Sequence, residues 1–195
     1  MQKTLNASSQ QVALATRLRP LTLLVRGLLV LGAPLIAAVP LWLWLAPESL
    51  LAVGWAEGTT CNADLVALIA QGVSPAMRWR LVAISVLPVG LGLLMLAQLW
   101  GLFGQYSLGA VFSSTALQRL RGLGWSLMAL FFSQPVVGAM QSVALSWDKP
   151  PGHRQITLSF SSDDYVLLLF ALLLLALAKV MQEAARVAQE NEGFV

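Results

Sequence analysis

Charged residues are scarce in this sequence, and the residues that usually build catalytic and metal sites are scarcer still. Only 11% of the 195 residues are Asp, Glu, Lys or Arg, and there is one cysteine and one histidine. Cys61 therefore has no partner for an intramolecular disulfide, and Cys61 with His153 lacks the spacing of metal ligands. The sequence has no glycine-rich phosphate loop either. We therefore expect no catalytic, cofactor or metal site, and a protein that is not an enzyme.

Hydrophobic residues, by contrast, make up 57% of the chain, and the mean hydropathy is +0.74. These values lie well outside the range of soluble domains. Because a transmembrane helix needs about 20 mostly apolar residues, the apolar runs predict four spans. They lie at about residues 25–46, 81–103, 123–146 and 163–183. We therefore predict an all-α membrane protein, a small bundle of four transmembrane helices.

The segments outside these spans are too short for a separate soluble domain, so we predict one multi-pass membrane domain over residues 1–195. Residues 1–19 are polar and predict a partly disordered tail followed by a short basic helix. A secretion signal is the competing interpretation of this basic start, but the polar leader through Arg26 is long for one. In segment 47–80, the stretch ADLVALIAQG predicts a short helix that cannot span the membrane.

The distribution of Lys and Arg predicts the orientation. If both termini are cytoplasmic, eight of the twelve Lys and Arg lie on that side, and six of the nine acids lie on the other. Because cytoplasmic segments are enriched in Lys and Arg, we predict an N-in/C-in protein. The outer segments are then 47–80 and 147–162, and the cytoplasmic segment is 104–122. Arg78 and Arg80, beside a span on the outer side, are the main argument against this orientation.

Local signals in segment 104–122 predict a turn followed by a basic helix. Ser113 is a residue type that caps helices, so we expect a helix to begin at Ser114. Leucines then recur every three or four residues on one side of this helix. Arg119 and Arg121 face elsewhere, and we expect them at the level of the lipid headgroups.

The last helix is predicted to extend beyond the membrane. Ser161 or Ser162 can cap it, with two aspartates in its first turn, where carboxylates favour the positive end of the helix dipole. Continued to Glu192 it is about 42 Å long, so a cytoplasmic helical tail at 184–195 protrudes from a core of roughly 30 Å. One face of the protruding part is apolar and is predicted to be buried, either on the protein's own basic helix, on the lipid surface or on a partner. That face consists of Val180, Ala184, Val187 and Ala188.

Three stretches resemble a known family: QYSLGAVFSSTALQRLRGLGW, VLPVGLGLL in span two, and the terminal EAARVAQENEGFV. From about Ser74 onward, the chain resembles the bacterial integral membrane proteins of domain-of-unknown-function family 2975. The resemblance implies four spans and the inner membrane. Some members are encoded beside small helix-turn-helix regulators, which implies a signalling or regulator-sequestering role, and no established activity comes with the family. The matching motif positions are Gly109, Phe112, Ser113, Glu190, Asn191, Glu192 and Val195.

We therefore predict a non-enzymatic membrane protein that docks a cytoplasmic regulator through segment 104–122 and the C-terminal helix. The expected docking residues are Arg119, Arg121, Glu183, Arg186, Glu190, Asn191 and Glu192. Arg119 and Arg121 are also hypothesised to dock against Glu190 and Glu192. The expected partners are the lipid bilayer and a small helix-turn-helix regulator, without direct nucleic-acid binding, and homo-oligomer formation is left open.

The alternative is a small transporter or lipid-handling protein that uses the polar side chains of its spans. Gln98 and Gln134 are the strongest candidates, because a substrate needs polar contacts inside the membrane. Hydrogen bonding between helices is the more ordinary use of such groups. The same holds for the serines of spans two and three: Ser85, Ser126, Ser133 and Ser142.

Overall fold

A computed structural model describes residues 2–46, 74–110, 113–147 and 162–192, with the single positions 156, 158 and 160. Every regular element in this part of the chain is a helix: α1 (Gln2–Leu45), α2 (Pro75–Ser107), α3 (Ser114–Ser146) and α4 (Ser162–Glu192). Each contains a stretch long and apolar enough to cross a membrane: Arg19–Leu45, Pro75–Ser107, Ser114–Ala144 and Ser162–Val187. The predicted all-α membrane fold is confirmed.

Several predictions fall outside the described residues. They concern the short helix in ADLVALIAQG, Cys61, His153, and the motif positions Phe112 and Val195.

Helix α1 corrects the prediction for the N-terminus. Residues 2–19 are the first turns of one continuous helix, not a partly disordered tail followed by a separate short helix. This stretch contains neither Gly nor Pro and is rich in Ala, Leu and Gln, which favour helices. The apolar stretch that follows is itself helical, and adding turns to an existing helix avoids the cost of nucleation.

Serine caps mark the starts of α2 and α3. The Oγ of Ser113 accepts a hydrogen bond from the backbone N–H of Ala116 at 3.1 Å, which confirms the predicted start of α3. Ser74 accepts one from Met77 at 3.3 Å. Pro75 then occupies the first position of α2, where its missing N–H would have no partner within the helix anyway.

A glycine turn ends α2. Gly109 has a φ of 74°, in the left-handed region that favours glycine. Its N–H donates to the carbonyl of Tyr106 at 3.0 Å, and the N–H of Ala110 donates to the carbonyl of Gln105 at 3.1 Å. These two bonds form a Schellman ending, which satisfies carbonyls that have no partner in the last turn. The chain is thereby turned towards the cap of α3.

The helices pack into two compact units, and each unit contains parts of all four helices. Unit 1 comprises Met1–Ala33, Leu94–Met128 and Leu169–Val195. Unit 2 comprises Pro34–Leu93 and Ala129–Leu168.

The core of unit 1 joins α2, α3 and α4. Its buried residues are Leu102, Ala116, Leu120 and Ala178, with Tyr106, Leu174 and Met181 packed against them. Gly124 lets α3 approach α4 closely, because a Cβ at this position would lie 2.8 Å from Cγ of Leu175. In unit 2, Ile84, Val137 and Ala144 form a smaller cluster that joins α2 and α3.

Of the predicted apolar face of α4, Val180, Ala184 and Val187 are not buried against the described helices, so the protein's own basic helix does not cover them. Val180 is 64% exposed and Val187 is 49% exposed. The face that packs on α3 instead contains Leu174, Ala178 and Met181. Both sets have helical spacing, so periodicity alone does not separate them. The packing of α3 on α4 decides which set is buried.

Candidate functional site

A groove between α3 and α4 lies in unit 1 and has a volume of about 640 Å³. Spacings of three and four residues bring its lining side chains to one side of each helix. The lining from α3 is Ser114, Leu117, Gln118, Arg121 and Trp125, and that from α4 is Leu175, Ala178, Lys179, Gln182, Glu183, Ala185 and Arg186. The groove therefore combines apolar surface with three cations and one carboxylate.

The charged residues of α4 pair with each other along their own helix. The carboxylate of Glu183 lies 3.7 Å from Nζ of Lys179 and 2.9 Å from Nε of Arg186. Arg186 also contacts Glu190 at 3.1 Å. These pairs are exposed, so they add little stability and can be exchanged for other partners. Arg121, which also lines the groove, forms no ion pair with the described side chains.

The groove brings together three of the predicted docking residues, namely Arg121, Glu183 and Arg186. The side chains of Asn191 and Glu192 lie outside the described residues. The remaining two predicted residues do not line the groove.

Those two residues have contacts of their own. Arg119 donates from Nη1 to Oε1 of Gln98 on α2 at 3.3 Å. Glu190 accepts from Arg186 on its own helix. The docking hypothesis expected an arginine of α3 to contact Glu190. Neither of these two contacts does so.

A second group of side chains in unit 1 was not predicted. The guanidinium of Arg26, on α1, lies over the ring of Trp100, on α2, with its Cζ 4.7 Å from the ring centre. Arg119 approaches the same helix from α3, through its hydrogen bond to Gln98. We name Arg26, Gln98, Trp100 and Arg119 the arginine cluster.

Two glycines of α2 make room for this cluster. A Cβ at Gly101 would lie 2.9 Å from Nε of Arg119, and a Cβ at Gly104 would lie 3.0 Å from Nη2 of Arg26. Residues three apart lie on one side of a helix, so both guanidinium groups lie against one strip of α2. A lone arginine in the apolar run LTLLVRGLLVLG was the available signal in the sequence. The neighbouring helices that complete the cluster were not evident from it.

Three of the four serines predicted to bond between helices bond within their own helix instead. The hydroxyls of Ser85, Ser126 and Ser133 donate to carbonyls three or four residues earlier, at 2.7–2.9 Å. The prediction is wrong for these three because a helical serine reaches such a carbonyl without rearrangement. Gln98 does make the predicted bond between helices. The hydroxyl hydrogens of these serines are therefore satisfied within their own helices.

Arg78 and Arg80 have structural contacts in unit 2. Arg78 donates from Nη1 to the carbonyl of Trp44 at 2.9 Å. This carbonyl lies in the last turn of α1, which carries the negative end of the helix dipole. The ring of Trp44 also packs on Trp79 at 4.4 Å between centres, and Arg80 lies over Trp147 at 5.8 Å. Packing thus accounts for two arginines that the orientation argument left unexplained.

Four long apolar helices define a multi-pass membrane protein. Within the described ranges, no three His, Cys, Asp or Glu side chains lie close enough to hold a metal ion. The family model described as "Protein of unknown function (DUF2975)" matches residues 63–194, more than half of the chain. The chain belongs to this family, which confirms the resemblance carried by its motifs. No curated protein and no solved structure matches it.

Proposed function

We propose that this is a non-enzymatic protein of the bacterial inner membrane, and that the groove between α3 and α4 binds a soluble regulator in the cytoplasm. The groove is the observation that carries the proposal, because it offers a concave surface with a cation, Arg121, that forms no ion pair with the described side chains. The implied association of the family with small helix-turn-helix regulators supplies the class of partner.

The charges of the two units support a cytoplasmic location for unit 1. By sequence, unit 1 contains eight Lys and Arg against three Glu, a net charge of +5. Unit 2 contains four Lys and Arg against six acids, a net charge of −2. Positive charge is enriched on the cytoplasmic side of membranes, so unit 1 faces the regulator in this proposal.

The lining of the groove indicates the chemistry of the segment that binds. Leu117, Trp125 and Leu175 offer apolar contacts, and the three cations exceed the one carboxylate. An amphipathic helix with carboxylates beside its apolar face would complement both features. The exposed pairs of Glu183 can open to let Lys179 contact such a helix.

Co-purification tests this proposal. The neighbouring genes are first inspected for a small helix-turn-helix protein. The tagged protein is then co-expressed with that regulator, and the complex is isolated from membranes. We expect the wild type to retain the regulator and the double variant R121E/K179E to lose it, because both changes reverse charge in the groove. The control is R19E, which makes the same change at an exposed residue of α1.

Two results would contradict the proposal at different levels. If the wild type does not retain the regulator, the proposed regulator-binding function is wrong. If R121E/K179E retains the regulator at the wild-type level, the function stands but the groove is not the docking site.

A further inference from the structure

We propose that the arginine cluster binds a phosphate group against α2. The structure assigns this role to Arg26 and Arg119, whose guanidinium groups both lie against the strip formed by Gly101 and Gly104. Phosphate is a ligand that guanidinium groups bind well, because their N–H donors match its oxygens in geometry and charge.

Within the part of the chain that the structure describes, the two arginines lack negative partners. No carboxylate among the described side chains forms an ion pair with Arg26 or Arg119. The Nε of Arg26 is buried and has no hydrogen-bond partner. A buried donor without a partner is costly, and a charged one costs more. The bond from Arg119 to Gln98 uses one of its five N–H donors, so most of its donors remain available.

The position of the cluster favours an amphiphilic source of phosphate. Arg26 lies within the apolar stretch Arg19–Leu45, about 10 Å along the helix from its first residue. Trp100 is 45% exposed, and tryptophan rings of this kind lie at the level of the lipid headgroups. An anionic phospholipid can place its phosphate at this depth while its acyl chains stay in the bilayer. Free inorganic phosphate is the other source of the same chemistry.

The site requires glycine at positions 101 and 104, because a larger residue there would occupy the space of the guanidinium groups. A methyl group at either position would meet a guanidinium group at about 3 Å, closer than ordinary contact allows. Replacing both glycines by alanine would therefore displace the arginines while keeping every charge. This substitution separates a positioned site from general attraction to positive charge.

Thermal unfolding of the purified, delipidated full-length chain in a nonionic detergent tests the proposal. Tm is measured by circular dichroism with phosphatidylglycerol, with phosphatidylcholine, and with sodium phosphate against sodium chloride at equal ionic strength. We expect phosphatidylglycerol to raise the Tm of the wild type more than phosphatidylcholine does. If sodium phosphate raises Tm instead, and the variants described next abolish that rise, the free ion is identified as the source of phosphate.

Two pairs of variants decide whether the cluster is responsible. R26Q should lose most of the rise in Tm, whereas R19Q, which removes the same charge from an exposed position on the same helix, should keep it. The variant G101A/G104A should also lose most of the rise. Its control is G27A/G32A on α1, where an added Cβ meets nothing within 4 Å.

The glycine pair keeps the test valid if R26Q fails to fold. The proposal is overturned if neither phosphatidylglycerol nor phosphate stabilises the wild type. It is also overturned if R19Q or G27A/G32A loses as much of the rise as its matched variant.

Discussion

At the scale of single residues, two of the positions shared with the family motifs have structural explanations. Gly109 adopts the left-handed conformation that ends α2, and Ser113 caps α3 a few residues later. Together they satisfy backbone groups at the end of α2 and at the start of α3. These two positions are therefore explained by the turn and need no ligand.

Gly109→Ala is predicted to destabilise the protein by about 1 kcal/mol, because a Cβ is strained at positive φ. Gly109→Asn should cost less, since asparagine tolerates this conformation. The free energy of unfolding in mixed detergent micelles, titrated with SDS, measures both. Equal stability of Gly109→Ala and the wild type would contradict this account of the turn.

Arg78 closes the end of α1 through the carbonyl of Trp44. Arg78→Leu is predicted to lower the free energy of unfolding by about 1.5 kcal/mol, which is the lower end of the range for a hydrogen bond with a charged donor. Arg121→Leu is the control, because it removes the same charge from an exposed side chain without an ion pair. An effect of Arg78→Leu no larger than that of the control would show that the cap adds no stability.

At the scale of elements, the packing of α3 on α4 selects which apolar stripe is buried. Leucines and valines cover much of α4, so several faces could serve as an interface. The face with Ala178 meets α3 near Ala116 and Leu120, and Gly124 allows the close approach. Small residues promote such packing in membranes because they bring backbones together.

Gly124→Ala tests this interface. An added Cβ would lie 2.8 Å from the side chain of Leu175, so we expect α3 and α4 to separate and Tm in detergent to fall. Gly138→Ala is the matched control on the same helix, since its Cβ would meet nothing within 4 Å. That control should be neutral or stabilising by up to about 1 kcal/mol, because alanine favours helices over glycine. A Gly124→Ala protein as stable as Gly138→Ala would contradict the close approach.

At the scale of the whole molecule, the charge of each unit predicts the orientation of the chain. Unit 1 is strongly basic, and Arg78 and Arg80 of unit 2 have contacts that account for their positions. We therefore retain the N-in/C-in prediction that the sequence made.

Cysteine labelling tests that orientation. In a Cys61→Ser background, Leu108→Cys and Ile156→Cys place thiols at positions that are both 71% exposed. An impermeant maleimide should label Ile156→Cys in intact spheroplasts, and should label Leu108→Cys only after permeabilisation. The reverse pattern would invert the orientation and exclude a cytoplasmic regulator from the groove.

The sequence by itself determined that the protein is helical and spans a membrane, and where α3 and α4 begin. Hydropathy and helix caps depend on residues that are close together in the sequence, so they can be predicted without knowing the tertiary contacts. Only the tertiary structure decided that Val180 is exposed while Ala178 is buried, and that Arg26 and Arg119 meet the same strip of α2. These outcomes depend on which helices pack together. The neighbouring helix determines which apolar stripe is buried and which side chains an arginine contacts.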